Sequence, residues 1–152
     1  MIKDSETEVR LVALEGLNKV IKYVNSDKVA ACIIPAILSL QNESSIIVKC
    51  NKYNFNFLDH IGEGLGQIAK AVGYSTFNAK MSGMLDWLMK DENSEVRLGL
   101  TRSLFDIYVA SEGQLLPSTS NILGVLLKDT QWRIRETVIE IISRLGQQFV
   151  RI

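Results

Sequence analysis

One short pattern occurs four times in this chain of 152 residues, and it limits the possible folds more than any other feature. In each copy an acidic residue is followed five positions later by a β-branched residue, and then at once by a base. The β-branched residues are Val9, Val48, Val96 and Ile134, at intervals of 39, 48 and 38 residues. Two of these intervals fall in the length range of helical-pair repeats. The pattern therefore predicts several stacked units rather than one closed core.

Apolar residues return at helical spacing after each β-branched residue. In three copies they occupy offsets 4, 8 and 11, which gives Ala13, Leu17 and Val20, then Leu100, Leu104 and Ile107, and finally Val138, Ile142 and Leu145. This spacing places them on one stripe of an α-helix. A second helical run comes before the later copies, at 33–40, 81–89 and 118–127. Each unit is therefore predicted to be a helix, a short turn and a second helix.

Two prolines lie at the first helices of these predicted pairs. Pro35 falls inside the run 33–40, where it is predicted to kink the helix or to begin it. Pro117 precedes the run 118–127 and is predicted to open that helix. Both prolines are thus explained by structure alone.

The second copy fits the same offsets only after nine residues are removed. Deleting Cys50 to Leu58 would place Ile61, Leu65 and Ile68 at offsets 4, 8 and 11. Nine extra residues would rotate a continuous helix by about 900°, so that everything beyond them would face the wrong way. The segment Cys50 to Leu58 is therefore predicted to bulge out of the helix or to interrupt it.

Composition excludes several classes of protein. Seventeen Lys and Arg balance seventeen Asp and Glu, so the chain lacks the positive charge that nonspecific nucleic-acid or anionic-membrane binding requires. One histidine and two cysteines do not supply a structural zinc site or a disulfide framework. No apolar stretch approaches the roughly 18 residues of a membrane span. We expect no cofactor, no metal, no nucleic acid and no membrane partner, and a cytoplasmic location with the nucleus as the alternative.

No residues suggest a catalytic site. His60 has no cysteine or serine at a spacing that would nominate a nucleophile. Gly62, Gly64 and Gly66 superficially resemble a phosphate-binding loop, but no Lys-Ser or Lys-Thr follows and they lie within the helical stripe. They are expected to weaken that helix by about 1 kcal/mol each relative to alanine. The chain is therefore predicted not to be an enzyme.

The acid and the base of each copy stand six residues apart and occupy one column of the predicted stack. Because stacked repeats bring equivalent positions close together, these side chains can form a ladder of ion pairs, with each acid also capping a helix N-terminus. Such a ladder fixes the stacking and performs no chemistry. Its residues are Asp4, Arg10, Glu43, Lys49, Asp91, Arg97, Asp129 and Arg135.

Trp132 and Arg133, which directly precede the β-branched residue of the fourth copy, differ in type from the residues at these positions in the other copies. The other copies have Thr-Glu, Ile-Ile and Ser-Glu at these two positions. A large aromatic followed by a guanidinium in a turn is typical of interface hot spots, since both combine broad apolar area with directional donors. Trp132 and Arg133 are therefore candidate partner-binding residues. The alternative is that Trp132 folds onto the neighbouring repeat while Arg133 is solvated.

The four copies, the Asp-to-Arg spacing and the interval near 39 resemble HEAT repeats, specifically those of the scaffold (A) subunit family of protein phosphatase 2A. The likeness is strongest in Lys90-Asp-Glu-Asn-Ser-Glu-Val-Arg-Leu, in Leu127-Lys-Asp-Thr-Gln-Trp-Arg-Ile-Arg-Glu and in 139–149. The resemblance implies an all-α HEAT-repeat solenoid, with antiparallel helix pairs stacked in a right-handed superhelix. Its units would be 1–25 (second helix only), 26–74 (with the insert 50–58), 75–112 and 113–152.

The same resemblance implies a function. The chain would be a non-enzymatic scaffold that holds a Ser/Thr phosphatase catalytic subunit, together with regulatory subunits, through its inter-helix turns. Trp132 and Arg133 would then grip the catalytic subunit. The alternative is a general HEAT or armadillo adaptor in another complex, favoured if these two residues prove irrelevant to binding. The helix over 5–24 and the one ending near Phe149 are expected to expose apolar surface, so self-association through these uncapped ends is also expected.

Overall fold

The structure is a computed structural model that describes residues 7–39, 56–114 and 117–149. Within these ranges every regular element is helical and no strand occurs, in agreement with the predicted all-α fold. The elements in chain order are α1 (Thr7–Ile21), α2 (Ser26–Lys28), a π-helical segment (Val29–Ile33), α3 (Ile34–Leu38), α4 (Asn56–Val72), α5 (Tyr74–Met89), α6 (Ser94–Ala110), α7 (Pro117–Leu126) and α8 (Trp132–Phe149).

The helices contact one another in two rows. One row consists of α1, α4, α6 and α8, each of which contacts the next, and the contact between α4 and α6 is the most extensive. The other row consists of α3, α5 and α7. The rows pack together where α5 contacts α4 and α6, and where α7 contacts α6 and α8. The chain therefore alternates between the rows from one long helix to the next.

The hydrophobic core runs between the two rows, and α6 lies at its centre. Ten of the 17 residues of α6 are buried. The large side chains that are completely buried are Ile21, Ile34, Leu65, Ile68, Phe77, Met81, Leu85, Leu88, Leu100, Leu104 and Ile107. Because burial of one such side chain stabilises a fold by about 1.5 to 3 kcal/mol, this continuous cluster holds the described helices together.

The predicted apolar stripe is correct in α6 and partly wrong in α1 and α8. Leu100, Leu104 and Ile107 are all buried in α6. Val20 and Ile142, by contrast, are 50% and 46% exposed, although the same offsets predicted them to lie on the apolar stripe. Their neighbours Ile21 and Ile141 are buried instead. Adjacent residues point about 100° apart on a helix, so Val20 and Ile142 point away from the core that Ile21 and Ile141 enter. Consecutive residues can both be buried where a helix is covered on more than one side, as Leu104 and Phe105 are in α6.

The two prolines occupy different places in their helices. Pro117 is the first residue of α7, as predicted. Pro35 is the second residue of α3, but it does not open the whole helical stretch, which starts at Ser26, where Asn25 accepts a hydrogen bond from the Asp27 N–H at 2.8 Å. The π-helical segment Val29–Ile33 precedes Pro35 instead, and the Ile34 N–H donates to the carbonyl of Val29, five residues earlier. The change of helix type thus falls one residue before the proline.

The predicted insert lies mostly outside the described residues. Helix α4 begins at Asn56, so the last three residues of the segment Cys50 to Leu58 are helical. The residues 50–55 belong to the part of the chain that is not described. The predicted bulge or interruption, and the division of the chain into four units, stay predictions.

A single glycine joins α4 to α5. Gly73 has a φ of +78°, a conformation that glycine adopts without steric cost. Its N–H donates to the carbonyl of Ala69 at 2.9 Å, while its own carbonyl accepts from the N–H of Phe77 at 3.0 Å. One residue therefore ends the first helix and starts the second, which fixes the joint between the two rows.

Candidate protein-interaction surface

The turns before α6 and α8 have the same local structure. The carboxylate of Asp91 accepts a hydrogen bond from the Asn93 N–H at 2.8 Å, and the carboxylate of Asp129 accepts one from the Gln131 N–H at 2.9 Å. Each acid thus folds its own turn by bonding the backbone two residues further on. This local bond explains why an aspartate begins both copies of the pattern.

The prediction of the residue that caps the N-terminus of α6 is wrong. Asp91 was expected to cap α6, but the cap is Asn93, whose side chain accepts from the Glu95 N–H at 2.9 Å. A capping residue stands directly before the first helical residue, which is Ser94. Asp91 lies two residues further upstream, and its carboxylate accepts from the N–H of Asn93 itself.

Each arginine of the pattern is tied back to its own turn. One guanidinium nitrogen of Arg97, Nη1, donates to the carbonyls of Asp91 at 2.7 Å and Glu92 at 3.1 Å. Nη1 of Arg135 donates in the same way to the carbonyls of Asp129 at 2.7 Å and Thr130 at 3.0 Å. The six-residue spacing of acid and base therefore brings the guanidinium onto the turn that precedes its helix.

The structure brings Arg97 and Asp129 together across the two turns. Arg97 Nε lies 2.7 Å from one carboxylate oxygen of Asp129 and Nη2 lies 3.0 Å from the other, so the pair is bidentate. The side chains are only 13% and 8% exposed. The hydrogen bonds from Arg97 lower the pKa of Asp129, and the same bonds raise the pKa of Arg97. This pair fastens the turn before α6 to the turn before α8.

The other residues of the predicted ladder are not brought together in the described part of the chain. Arg10 lies in α1, while Asp4, Glu43 and Lys49 lie outside the described residues. Asp91 and Arg135 each contact their own turn, as described above. The ladder beyond the Arg97–Asp129 pair stays a prediction.

A second ion pair crosses between the same two turns, and sequence analysis missed it. Arg133 Nη1 lies 3.3 Å from a carboxylate oxygen of Glu95, with the side chains 44% and 33% exposed. Both residues directly precede the β-branched residue of their copy, so the spacing of 38 could have revealed the pair. Since surface pairs contribute about 0 to 1 kcal/mol, this contact positions Arg133 more than it stabilises the fold.

Trp132 is the first residue of α8, and in the chain it stands directly before Arg133 and three residues after Asp129. It is 60% exposed, so most of the indole is not packed onto a neighbouring helix. Asp129 and Arg135, on either side of it, are held by the hydrogen bonds described above. The structure therefore presents a large aromatic side chain on a turn that is fixed at both ends.

A polar groove runs beside Arg133, between α6 and α8. It encloses about 330 Å³, and its charged residues are Arg102, Arg133, Arg144, Glu136 and Glu140. The Arg144 guanidinium lies 3.6 Å above the ring centre of Phe105, a cation–π contact that joins the two helices. The groove thus offers donors and acceptors of both charges next to the exposed turn.

The described residues contain neither a cluster of metal-binding side chains nor a helix that could span a membrane. Across 7–39, 56–114 and 117–149, no group of three or more His, Cys, Asp and Glu side chains could hold a metal ion. Within the same ranges, no helix combines the length and the apolar character that a membrane crossing requires.

Comparison of the chain with known proteins identifies no relative. No protein-family model matches the sequence, and neither the curated proteins nor the solved structures contain a significant match.

Proposed function

We propose that this chain is a non-enzymatic HEAT-repeat scaffold, similar to the A subunit of protein phosphatase 2A, which acts in the cytoplasm or the nucleus. It holds a Ser/Thr phosphatase catalytic subunit through the turns before α6 and α8, and it can hold regulatory subunits in the same way. The observation that carries the proposal is the exposure of Trp132 on a turn fixed by a bidentate ion pair.

The arrangement of the helices supports the solenoid part of the proposal. Two rows of helices, with the chain alternating between them, are what a stack of antiparallel helix pairs produces. Helices α6 and α8 of the first row begin 38 residues apart, which is also the interval between the last two copies of the pattern. In the proposed solenoid the rows continue as a right-handed superhelix, and the turns before α6 and α8 lie side by side along one edge.

The rigidity of these turns supports the binding part of the proposal. Binding is weakened when side chains and loops must be ordered first. Here the Asp129 carboxylate is already bonded to the Gln131 N–H and to Arg97. Trp132 can therefore enter a pocket of the partner with little further loss of freedom, which is the property of an interface anchor.

Arg133 plays a supporting part in the proposed interface. One of its nitrogens bonds Glu95, and a guanidinium carries five N–H donors in all. The remaining donors are available to acceptors of the catalytic subunit while Glu95 holds the side chain in place. Loss of Glu95 should accordingly weaken binding less than loss of Arg133.

Replacement of Trp132 tests the proposal directly. With a purified Ser/Thr phosphatase catalytic subunit, Trp132→Ala should weaken binding by more than about 2 kcal/mol, which is roughly 30-fold in Kd by titration calorimetry. Tyr23→Ala is the matched control, because Tyr23 is another aromatic, 81% exposed, that follows α1 and lies outside these turns. Far-ultraviolet circular dichroism should show that both variants remain helical.

Two outcomes would refute the proposal. One is a native chain that does not bind the catalytic subunit, and the other is an equal affinity of the native chain and Trp132→Ala. Capture of a different, identified complex through the same turns would instead favour the general HEAT or armadillo adaptor.

A further inference from the structure

The groove between α6 and α8 has an arginine of α8 at each end, and each of these arginines contacts α6. Arg133 Nη1 lies 3.3 Å from a carboxylate oxygen of Glu95, and the Arg144 guanidinium lies 3.6 Å from the ring centre of Phe105. The earlier residue of α8 thus contacts the earlier residue of α6, so the two helices run side by side in the same direction. The described residues that line the groove all belong to these two helices.

Arg133 and Arg144 lie on one stripe of α8, away from the open side of that helix, where Ile139 and Ile142 are exposed. Arg144 stands eleven positions after Arg133. On a helical projection the two arginines therefore fall within about 20° of each other, and they lie about 16 Å apart along the axis. The two exposed isoleucines are at least about 120° away from this stripe. The groove is accordingly bordered by described residues on both of its long sides.

Both arginines retain N–H donors for a ligand. Arg133 uses one of its nitrogens for Glu95, and a guanidinium carries five N–H donors. Arg144 makes no hydrogen bond or ion pair within the described residues, and its contact is with the ring of Phe105. This contact occupies the flat face of the guanidinium, whereas the donors lie along its edge. Each end of the groove therefore holds a guanidinium in place with donors that can bind a carboxylate.

Guanidinium groups outnumber carboxylates in the groove, although the chain as a whole has no net charge. Arg102, Arg133 and Arg144 line it together with Glu136 and Glu140. Charge complementarity therefore favours an anionic ligand. The two glutamates belong to the stretch of α8 between Arg133 and Arg144, so they repel negative charge there. The favoured ligand has negative groups at its two ends and uncharged groups between them.

An extended peptide segment matches this arrangement of charges. Side chains four residues apart in an extended chain lie on the same side and about 13 Å from each other. Two acidic side chains at that spacing can reach both arginines, which lie about 16 Å apart, because glutamate and arginine side chains are long. A chain with a negative charge at every residue would instead place charge beside Glu136 and Glu140.

We propose that this groove binds an extended acidic segment of a partner protein. One carboxylate of the segment binds Arg133, and a second, four residues away, binds Arg144. The inference goes beyond the proposed function, because it names the chemistry of the bound segment and can be tested without a phosphatase. It shares only Arg133 with the proposed phosphatase interface.

Fluorescence anisotropy with the 152-residue chain and a fluorescein-labelled octapeptide tests the groove. The peptide consists of glycine and serine except for glutamates at its second and sixth positions. It should bind the native chain at about 50 mM salt, where surface charges are weakly screened. Arg133→Gln and Arg144→Gln should each weaken binding at least about fivefold in Kd, because each removes a charge-assisted hydrogen bond. Glu140→Gln should strengthen binding, because it removes a like charge.

Lys80→Gln is the matched control, because Lys80 is an exposed base of α5 outside the groove and the variant changes the charge by the same amount. It should bind the peptide as the native chain does. Far-ultraviolet circular dichroism should show that all variants remain helical.

A second peptide tests the spacing. With its two glutamates adjacent, at the fourth and fifth positions, the octapeptide can reach only one arginine and should bind at least about threefold more weakly. Equal affinity for the two peptides would overturn the proposal, as would native affinity of Arg144→Gln. A native chain that binds the phosphatase catalytic subunit but not the spaced peptide would overturn the groove proposal alone and leave the proposed function intact.

Discussion

Helices α6 and α8 carry the same pattern but lie in different surroundings. Both have an arginine one position after the β-branched residue, and both bond the turn before them through that arginine. In α6 the arginine continues to Asp129 of the next turn, and ten residues of the helix are buried. In α8 the matching face is exposed at Ile139 and Ile142. The comparison teaches that neighbours on both sides, rather than the pattern itself, determine how much of such a helix is buried.

The residues around the pattern already reflect this difference. Leu98 and Phe105 are buried in α6, whereas the same offsets in α8 hold Glu136 and Ser143, both exposed. A helix that is apolar on every side requires cover on every side, while a helix with one polar face can border water. Helix α8 is intermediate, because it replaces part of the apolar face by polar residues and retains two exposed isoleucines.

The largest difference in stability is expected between the alanine variants of two equivalent residues, Leu104 of α6 and Ile142 of α8. Leu104→Ala should destabilise the fold by about 3 kcal/mol, because it leaves a cavity in a packed core. Ile142→Ala should cost less than about 1 kcal/mol, because this side chain is half exposed. Urea denaturation at a concentration where the chain is monomeric measures both values. Equal losses would mean that α8 is covered as α6 is.

The second largest difference in stability is expected between the alanine variants of Arg97 and Arg135. Arg97→Ala should cost about 2 to 3 kcal/mol, because it removes a bidentate bond and leaves the little-exposed carboxylate of Asp129 without its partner. Arg135→Ala should cost about 1 kcal/mol, since only its hydrogen bonds to two turn carbonyls are lost. The same denaturation measurements provide the comparison. A loss for Arg135 as large as that for Arg97 would indicate that Arg135 already has a carboxylate partner.

The ion pair should also give the stability a defined dependence on pH. Hydrogen bonds from Arg97 lower the pKa of Asp129 in the folded chain, so the unfolded chain takes up this proton first as the pH falls. The contribution of the pair is fully present above the ordinary pKa of aspartate, about 3.9, and is lost as the pH falls through the lowered pKa. Asp129→Asn should therefore cost about 1 to 2 kcal/mol at neutral pH and progressively less in acid.

Arg97→Ala provides the control for this pH dependence. In that background the difference in unfolding free energy between Asp129→Asn and its parent should depend on pH less than in the native background, because the hydrogen bonds from Arg97, the largest cause of the lowered pKa, are gone while the bond from the Gln131 N–H remains. The native chain and Asp129→Asn should differ less in unfolding free energy as the pH falls. A difference that stays constant down to pH 2 would contradict a pKa of Asp129 that Arg97 lowers.

The smallest predicted change in stability concerns the contact between α4 and α6. A Cβ added at Gly66 would lie 3.0 Å from the Cβ of Asp106, while the space around Gly83 of α5 is open to 4 Å. Gly66→Ala should therefore destabilise the fold by about 1 kcal/mol, because overpacking outweighs the gain in helix propensity. Gly83→Ala should stabilise it by about 0.5 to 1 kcal/mol. Opposite signs in thermal unfolding are the expected result, and stabilisation by both would show that α4 and α6 can separate slightly.

Several features of the fold follow from sequence spacing because they depend on local geometry. The helical stripe of α6 and the start of α7 at Pro117 are of this kind, since side-chain periodicity and the missing N–H of proline act within one helix. These predictions need no knowledge of what packs against the helix.

The features that sequence spacing did not reveal depend on neighbouring elements. The exposure of Ile142 follows from the open side of α8. The need for a glycine at position 66 follows from the close approach of Asp106 on another helix. The pair of Arg133 and Glu95 requires two turns to be aligned. For this last pair a signal was present, because the two residues occupy the same position in successive copies.

The π-helical segment before Pro35 has a consequence for how this chain can change in length. A π-helical turn holds more residues than an α-helical turn, so it takes up one additional residue within a helix. An additional residue in a regular α-helix would rotate all later side chains by about 100°. Here Val29 and Ile34, at the two ends of the segment, both remain buried. A single-residue insertion or deletion can therefore be absorbed at this point in evolution while the apolar side chains on both sides keep their places in the core.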